Sequence, residues 1–312
     1  MNKYALLILV SLVLSANASQ LPFSENFDTL AAGSIDTKND WVSLSGTNNI
    51  QSDVIAAGSQ ALEIKSGMVQ HYLSNTPGGT SVWVSFQARI TAAPNTTPVV
   101  TNANTSVAFY VNTNLNLVVL DGTNAPFELS KAMELNSWTR FDVYCDYGSQ
   151  TWKLNVNGTN VAENLRLYSS NPQIDSLVIA NESSASAYFD ELVVETTDDT
   201  NNNGIPDWWE QRYFGGTTNA PSGIVTNGMT CEQMYIAGLE PDVTNDALTL
   251  AQTDRKKFNW NRKTGRRYDI YWASNLTSGF TFIQTATGSE FQDTATNRTE
   301  RPAGFYKIKV SR

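Results

Sequence analysis

Histidine occurs once in the 312 residues, as His71, and cysteine twice, as Cys145 and Cys231. A single imidazole excludes His-ligated zinc clusters. It also makes any Ser-His-Asp arrangement depend on one residue, and no G-x-S-x-G elbow accompanies it. His71 lies in the strand-like stretch "GMVQHYLS" and is expected to be a hydrogen-bonded structural residue. Two cysteines are too few for a disulfide framework. Cys145 alternates with Phe141, Val143 and Tyr147 and is expected to point into a core, Cys231 falls in a helix-like segment, and their pairing stays open. The glycines sit at turns and not in a strand–loop–helix frame, which removes phosphate-binding loops. Leu-, Lys- and Glu-rich helical patterning is scarce. Long apolar runs are absent apart from Ala5–Leu14, "ALLILVSLVL", which is too short to span a bilayer.

That run has Lys3 before it and the small-x-small triplet Ala16-Asn17-Ala18 after it. This is the pattern of an export leader cleaved after Ala18, with no cysteine following to carry a lipid. The expectation is a secreted or cell-surface protein without a membrane span. Formal net charge is −9, unevenly placed. From Ala251 onward there are 12 Lys+Arg against 5 Asp+Glu, a balance of +7, whereas the first 250 residues carry 9 against 25, a balance of −16. An acidic exported chain is a poor nucleic-acid binder. Its basic tail, with Arg255, Lys256, Lys257, Arg262, Lys263, Arg266 and Arg267, suits an anionic glycan or surface, contact with the acidic half, or a solvated face.

What is abundant is Thr, Asn, Ser and Val, the composition of short strands and polar turns. In "SVWVSFQARI", Val82, Val84, Phe86, Ala88 and Ile90 alternate with Trp83, Ser85, Gln87 and Arg89, a period of two. "SWTRFDVYCDYG" and "TWKLNVNGTNV" follow in the same manner, and Asn157-Gly158 marks a tight hairpin. The fold class expected is all-β: an antiparallel sandwich over 19–195, a linker with two short helices over 196–247, and a small β domain over 248–312 of five or six strands. "LPFSENFDTL", "VWVSFQARI", "SWTRFDVYCDYGSQTWKLNVNGTNV" and "AYFDELVVE" resemble the concanavalin A-like lectin/glucanase superfamily, including laminin G-type domains, which implies a jelly-roll sandwich and often sugar binding. The tail resembles fibronectin- or immunoglobulin-like C-terminal modules of exported bacterial proteins.

The most specific motif is "DTNNNGIPDWWE". With Gly204 at the sixth position of a twelve-residue cation loop, Asp199, Asn201 and Asn203 fall at positions 1, 3 and 5, Ile205 at 7, Asp207 at 9 and Glu210 at 12. Alternate short oxygen-bearing side chains, a glycine at the bend and a terminal carboxylate are what Ca2+ requires. No helix precedes the loop, and Pro206 suits the first turn of a following helix that ends at Gly215-Gly216. The pattern resembles dockerin and thrombospondin type 3 repeats. "GIVTNGMTCEQMYIAGLEP" reads as a second copy that keeps only Asn227 among its ligand positions, with Thr230 and Gln233 capping a helix over Cys231–Ala237. One working loop between two β domains implies a calcium-stiffened linker more than a docking module.

Alternation also places Glu25 beside Phe23 and Phe27, and Asp190 beside Tyr188, Leu192 and Val194, so both carboxylates are expected among apolar neighbours. They suit either a second structural metal or hydrogen bonds to nearby turns. Glucanases of the resembling superfamily carry an E-x-D-x-x-E acid set, absent here, and no catalytic residue is assigned. Sugar recognition needs exposed aromatic faces among polar groups. Trp83, Arg89, Tyr110, Arg140 and Tyr144 are the candidates, pointing to polysaccharide or glycoconjugate as partner. A non-sugar-binding structural protein and an atypical polysaccharide-degrading enzyme are the alternatives.

Overall fold

The computed structural model describes residues 7–10, 18–74, 79–94, 105–181, 183–226, 228–254, 256–277, 279–286, 288–299 and 304–312. Most of the expected leader, together with Arg255 and Asn227, lies outside the described residues. Strands dominate, as the composition predicts, and among the described residues no helix is long and apolar enough to cross a membrane. The chain forms two compact units, Met1–Asp198 and Asp199–Arg312.

The first unit contains β1 (Leu7–Val10), β2 (Phe23–Glu25), β3 (Trp41–Gln51), β4 (Ala61–Ser74), β5 (Ser81–Ile90), β6 (Ala108–Val111), β7 (Asn116–Val119), β8 (Phe127–Ala132), β9 (Thr139–Asp146), β10 (Thr151–Val156), β11 (Thr159–Arg166), β12 (Ser176–Asn181) and β13 (Ala187–Thr196). A front sheet runs β13-β5-β9-β10-β11, with β2 on the far end of β13. A back sheet runs β8-β7-β6-β1-β12-β4-β3, in which β1 lies antiparallel to both β6 and β12. Four residues of the leader-like run thus form a strand within this sheet.

The long strand β4 serves both sheets. Leu62–Ile64 pair with β13, whereas Gly67–Tyr72 pair with β12. The corner lies at Ser66, where φ is 48°, and β3 bends with it. A side chain at Gly46 would strike the Ser66 carbonyl at 2.0 Å, and one at Gly67 would meet Asn48 Oδ1 at 2.3 Å. Backbone-to-backbone approach at this corner therefore requires glycine on both strands.

Between the sheets lies one continuous apolar core in which Phe86 is central. Its ring stacks on Phe189 at 4.9 Å and Phe141 at 5.2 Å, and Phe109 follows at 6.5 Å. Truncating such a ring costs about 3–5 kcal/mol through lost burial and the cavity left behind. Cys145 is part of this core and its thiol is free, with burial pushing its pKa up to about 12. Cys231 is also free and buried, in the second unit.

In the second unit, α1 (Asp207–Phe214) and α2 (Cys231–Ala237) pack Trp209, Met234, Tyr235 and Leu239 together with Ile205. The short strands β14 (Ile224–Thr226) and β15 (Met229–Thr230) form a hairpin between the helices. Thr230 and Gln233 form the reciprocal capping box expected from sequence, and Gly215 and Gly238 end the helices in the left-handed region. Pro206 occupies the N-cap position of α1. Six strands complete the unit in two three-stranded sheets: β16 (Leu250–Asp254), β17 (Lys257–Trp260) and β20 (Glu290–Gln292), and then β18 (Arg267–Ala273), β19 (Thr281–Ala286) and β21 (Phe305–Ser311).

Two buried polar groups of the first unit differ from expectation. His71 is fully buried, stacked on Phe23 at 4.2 Å and beside Trp41 at 4.9 Å, and neither ring nitrogen has a hydrogen-bond partner. It is held by rings and not by polar partners. Burial lowers its pKa to about 4, which keeps it neutral. Asp190 shares no face with Leu192, because the ladder between β13 and β5 slips by one residue between Asp190 and Val193, where Glu191 adopts a φ of 57°. This bulge puts Asp190 opposite Gln87 on the outer face, while Leu192 and Val194 enter the core. Burial, and then the neighbouring Glu191, raise the Asp190 pKa to about 7.

These shifts act on stability with opposite signs over one pH window. His71 binds a proton more weakly when folded, so its contribution is lost as pH falls from about 6.5 to 4. Asp190 binds a proton more tightly when folded, so its contribution is present below about pH 4 and lost as pH rises to about 7. Each amounts to roughly 3–4 kcal/mol at most, and together they largely cancel. The urea midpoint of the wild-type protein should therefore be nearly flat from pH 4 to 7. His71→Phe should make stability fall with rising pH, and Asp190→Asn should make it rise. An unchanged profile in both variants would refute the assignment.

Candidate functional site

The front sheet presents its outer face through the second set of alternating residues. Because β5 is flanked by β13 and β9, and β9 by β10, the ladder sets Trp83 opposite Glu195 and Tyr144, and Tyr144 opposite Lys153. The next row pairs Ser85 with Asp142 and Asp142 with Asn155, and a third pairs Gln87 with Arg140. Arg89 stands opposite Tyr188 at the other end. Most of these side chains are half-buried, neither core nor fully solvated.

Trp83 and Tyr144 form an aromatic pair with centroids 5.2 Å apart and planes tilted by 55°. Lys153 Nζ lies 5.2 Å from the Trp83 centroid and 4.8 Å from that of Tyr144. Such cation–π placement stabilises an ammonium without neutralising it. Beside it, Arg140 is engaged by Asp142, with its Nη2 at 2.7 Å and its Nε donating at 2.8 Å, and Ser85 Oγ donates to the same carboxylate at 2.8 Å. Arg140 is therefore a positioned, neutralised group.

Four of the five sugar-site candidates, Trp83, Arg89, Arg140 and Tyr144, lie on this face. Tyr110 does not. It is 4 % exposed on the outer face of the back sheet, among Ala108, Val118, Leu120, Val178 and Ala180. Alternation fixes which face of its own strand a residue occupies, but not which sheet the strand joins. Lys153, which sequence reasoning passed over, was accessible to the same argument. Trp152, Leu154 and Val156 are core, so Lys153 between them points outward.

The two carboxylates considered for a second metal have separate partners. Glu25 accepts from the Phe27 amide at 2.8 Å and from Asn39 Nδ2 at 2.6 Å. Asp190 accepts from the amides of Ala56 at 3.0 Å, Ala57 at 3.2 Å and Glu191 at 2.7 Å. Among the described residues no cluster of three or more His, Cys, Asp or Glu side chains is present.

The cation-loop motif folds around its own amides. Asp199 accepts from the N–H groups of Asn203 at 3.1 Å and Gly204 at 2.8 Å, and Asn203 Oδ1 accepts from Ile205 N at 2.8 Å. Asn202 and Gly204 make the bend, with φ of 56° and 82°. Glu210 is fully buried. Its carboxylate accepts from Asn203 Nδ2 at 3.1 Å, Ala220 N at 3.0 Å and Asn201 Nδ2 at 3.4 Å, and no Lys or Arg neutralises it among the described residues. Asp207 instead takes the amide of Thr200 at 2.8 Å and its hydroxyl at 2.5 Å. Oxygens from Asp199, Asn201, Asn203 and Glu210 thus meet at a loop whose buried negative charge lacks a cation. That donor set fits a hard metal ion.

The basic tail is largely engaged within its own unit. Lys257 pairs with Glu290 at 2.7 Å, Lys263 with Asp246 at 2.7 Å and Arg267 with Asp269 at 2.9 Å, while Arg266 donates to the Tyr235 carbonyl at 2.9 Å.

No protein-family model matches the chain, and no curated protein matches it. Solved structures do resemble it. A sialidase aligns over 66% of this chain at 11% identity with a TM-score of 0.44, and the match spans 21% of the sialidase's own length. Alginate lyase Aly36B aligns over 57% of this chain and 98% of its own, at 12% identity and a TM-score of 0.40. Domain 4 of AbnA, a GH43 extracellular arabinanase from Geobacillus stearothermophilus solved with arabinotriose, aligns over 57% and 93%, at 15% identity and a TM-score of 0.37. Likeness at this level concerns the fold, and function rests on the site.

Proposed function

We propose that the protein is a secreted or cell-surface carbohydrate-binding protein, that the front sheet takes the glycan, and that Ca2+ stabilises the loop of the second unit. The observation that carries the first part is the Trp83–Tyr144 pair set in a half-buried grid of polar side chains. A sugar ring offers apolar C–H faces and hydroxyls together. An aromatic face supplies dispersion for the one, and Gln87, Asn155 and the Arg140–Asp142 pair supply hydrogen bonds for the other. Truncating a central aromatic of a binding site costs about 2 kcal/mol or more, roughly a thirtyfold loss of affinity. Screening immobilised glycans should therefore give binding that drops by about that factor in Trp83→Ala and remains in Tyr110→Phe. Absence of binding to every glycan would leave a structural or interaction role instead.

For the metal, Asp199, Asn201, Asn203 and Glu210 would supply side-chain oxygens, Ile205 its carbonyl, and Asp207 a contact through water. Ile205 is suited to this role because its side chain is already fixed in the helical core. The bound ion would neutralise the buried Glu210 carboxylate. A ligand present at a hundredfold its Kd adds about 2.7 kcal/mol, which corresponds to a melting rise of roughly 10 °C for a unit of this size. Calcium titration followed by calorimetry should show such a rise in the wild-type protein, and little or none in Asp199→Ala or Glu210→Gln. A melting temperature indifferent to calcium would remove the metal from the account.

A further inference from the structure

The front face holds charged groups in two states, matched and unmatched. Asp142 is matched by Arg140, and Glu63 accepts hydroxyls from Ser186 at 2.5 Å and Tyr188 at 3.5 Å. Asp190 is capped by three backbone amides, and Glu195 is buried at 4 % exposure. Asp146, at the far edge, accepts from the Ser149 amide at 2.9 Å. The cations differ. Lys153 rests on two aromatic rings and pairs with no carboxylate among the described residues, and Arg89 likewise has no ion pair, with a buried Nε that lacks any hydrogen-bond partner. A half-buried cation left without an anion in a chain of net charge −9 is unusual, since acidic side chains outnumber basic ones. Both cations stand on the face that carries the aromatic pair.

Resting on the glycan-binding reading above, we propose that the ligand is an acidic polysaccharide. One anionic group on a sugar stacked at Trp83 and Tyr144 pairs with Lys153, and a second, further along the chain, pairs with Arg89. The flexible stem of Lys153 lets its ammonium turn from the rings toward the incoming anion, while Arg89 offers a fixed planar fork. Trp83 and Arg89 are six positions apart on β5, so the two subsites are roughly 20 Å apart along the strand at about 3.3 Å per residue. A monosaccharide cannot reach both, and an oligomer of several units can.

Binding of the full-length protein to polyuronate, sulfated and neutral oligosaccharides of graded length tests this by calorimetry. The expected result is a preference for the acidic series that weakens with added salt. Lys153→Gln should lower affinity by about tenfold for short and long acidic oligomers, Lys153→Arg should retain most of it, and Arg89→Gln should lower it only for long ones. Comparing polyuronate with sulfated arms identifies whether carboxylate or sulfate supplies the anion. Neutral glycans bound as well as acidic ones, with Trp83 required and Lys153 and Arg89 dispensable, would overturn the proposal while leaving the glycan reading intact. Binding to no glycan overturns both. Melting curves of each variant confirm that the fold is retained, since neither side chain belongs to the core.

Discussion

The first unit depends on how the strand Ser81–Ile90 is paired on both edges. Its neighbours Ala187–Thr196 and Thr139–Asp146 fix its register, and a slip of one residue would carry Phe86 out of the core and Trp83 into it. The stacked rings of Phe86, Phe141 and Phe189 make that slip expensive. The same constraint therefore builds two surfaces at once. What the core fixes as Val82, Val84 and Phe86 appears on the other side as Trp83, Ser85 and Gln87. The candidate site needs no loop to shape it, because its spacing is the spacing of the ladder.

One interruption of that ladder gives the site its boundary. At Glu191 an extra residue enters the edge of the front sheet, so Asp190 turns to the outer face and is enclosed by the amides of Ala56, Ala57 and Glu191. Three N–H donors and a desolvated setting pull on this carboxyl in opposite directions, and desolvation is the larger effect. On the opposite side of the sheet His71 is neutral among Phe23 and Trp41. Both groups lie within apolar packing, without an opposite charge, and each is tolerated because it is uncharged over the pH range in which its neighbours are most stable.

Much of this was legible in the sequence, and the exceptions share a cause. Period-two alternation correctly separated Phe86 from Trp83 and Leu154 from Lys153, and the Thr230–Gln233 spacing gave a helix start to the residue. Alternation assumes an unbroken strand, and nothing in "AYFDELVVE" signals that Glu191 adopts a left-handed φ, so the phase of Asp190 was misjudged. Assignment of Tyr110 failed differently. Its strand obeys the rule but joins the back sheet, and sheet membership is a long-range property that local pattern does not carry. Pairing of Arg140 with Asp142 was equally hidden in principle yet accessible in practice, since two residues apart on one strand means one face.

The cation loop raises a different question, namely why Asn replaces Asp at two of its ligand positions. Each amide contributes an oxygen without a charge, so Asp199 and Glu210 are left as the carboxylates directed to the loop, with Asp207 turned to Thr200. Fewer charges mean weaker binding, and calcium loops span affinities from nanomolar buffers to extracellular modules of about 0.1–1 mM largely by charge count and rigidity. A loop of this composition would remain empty at cytosolic calcium and fill outside the cell. On this view the asparagines are matched to compartment. They leave the second unit incompletely stabilised until export, when the buried Glu210 acquires the positive charge that no side chain around it provides.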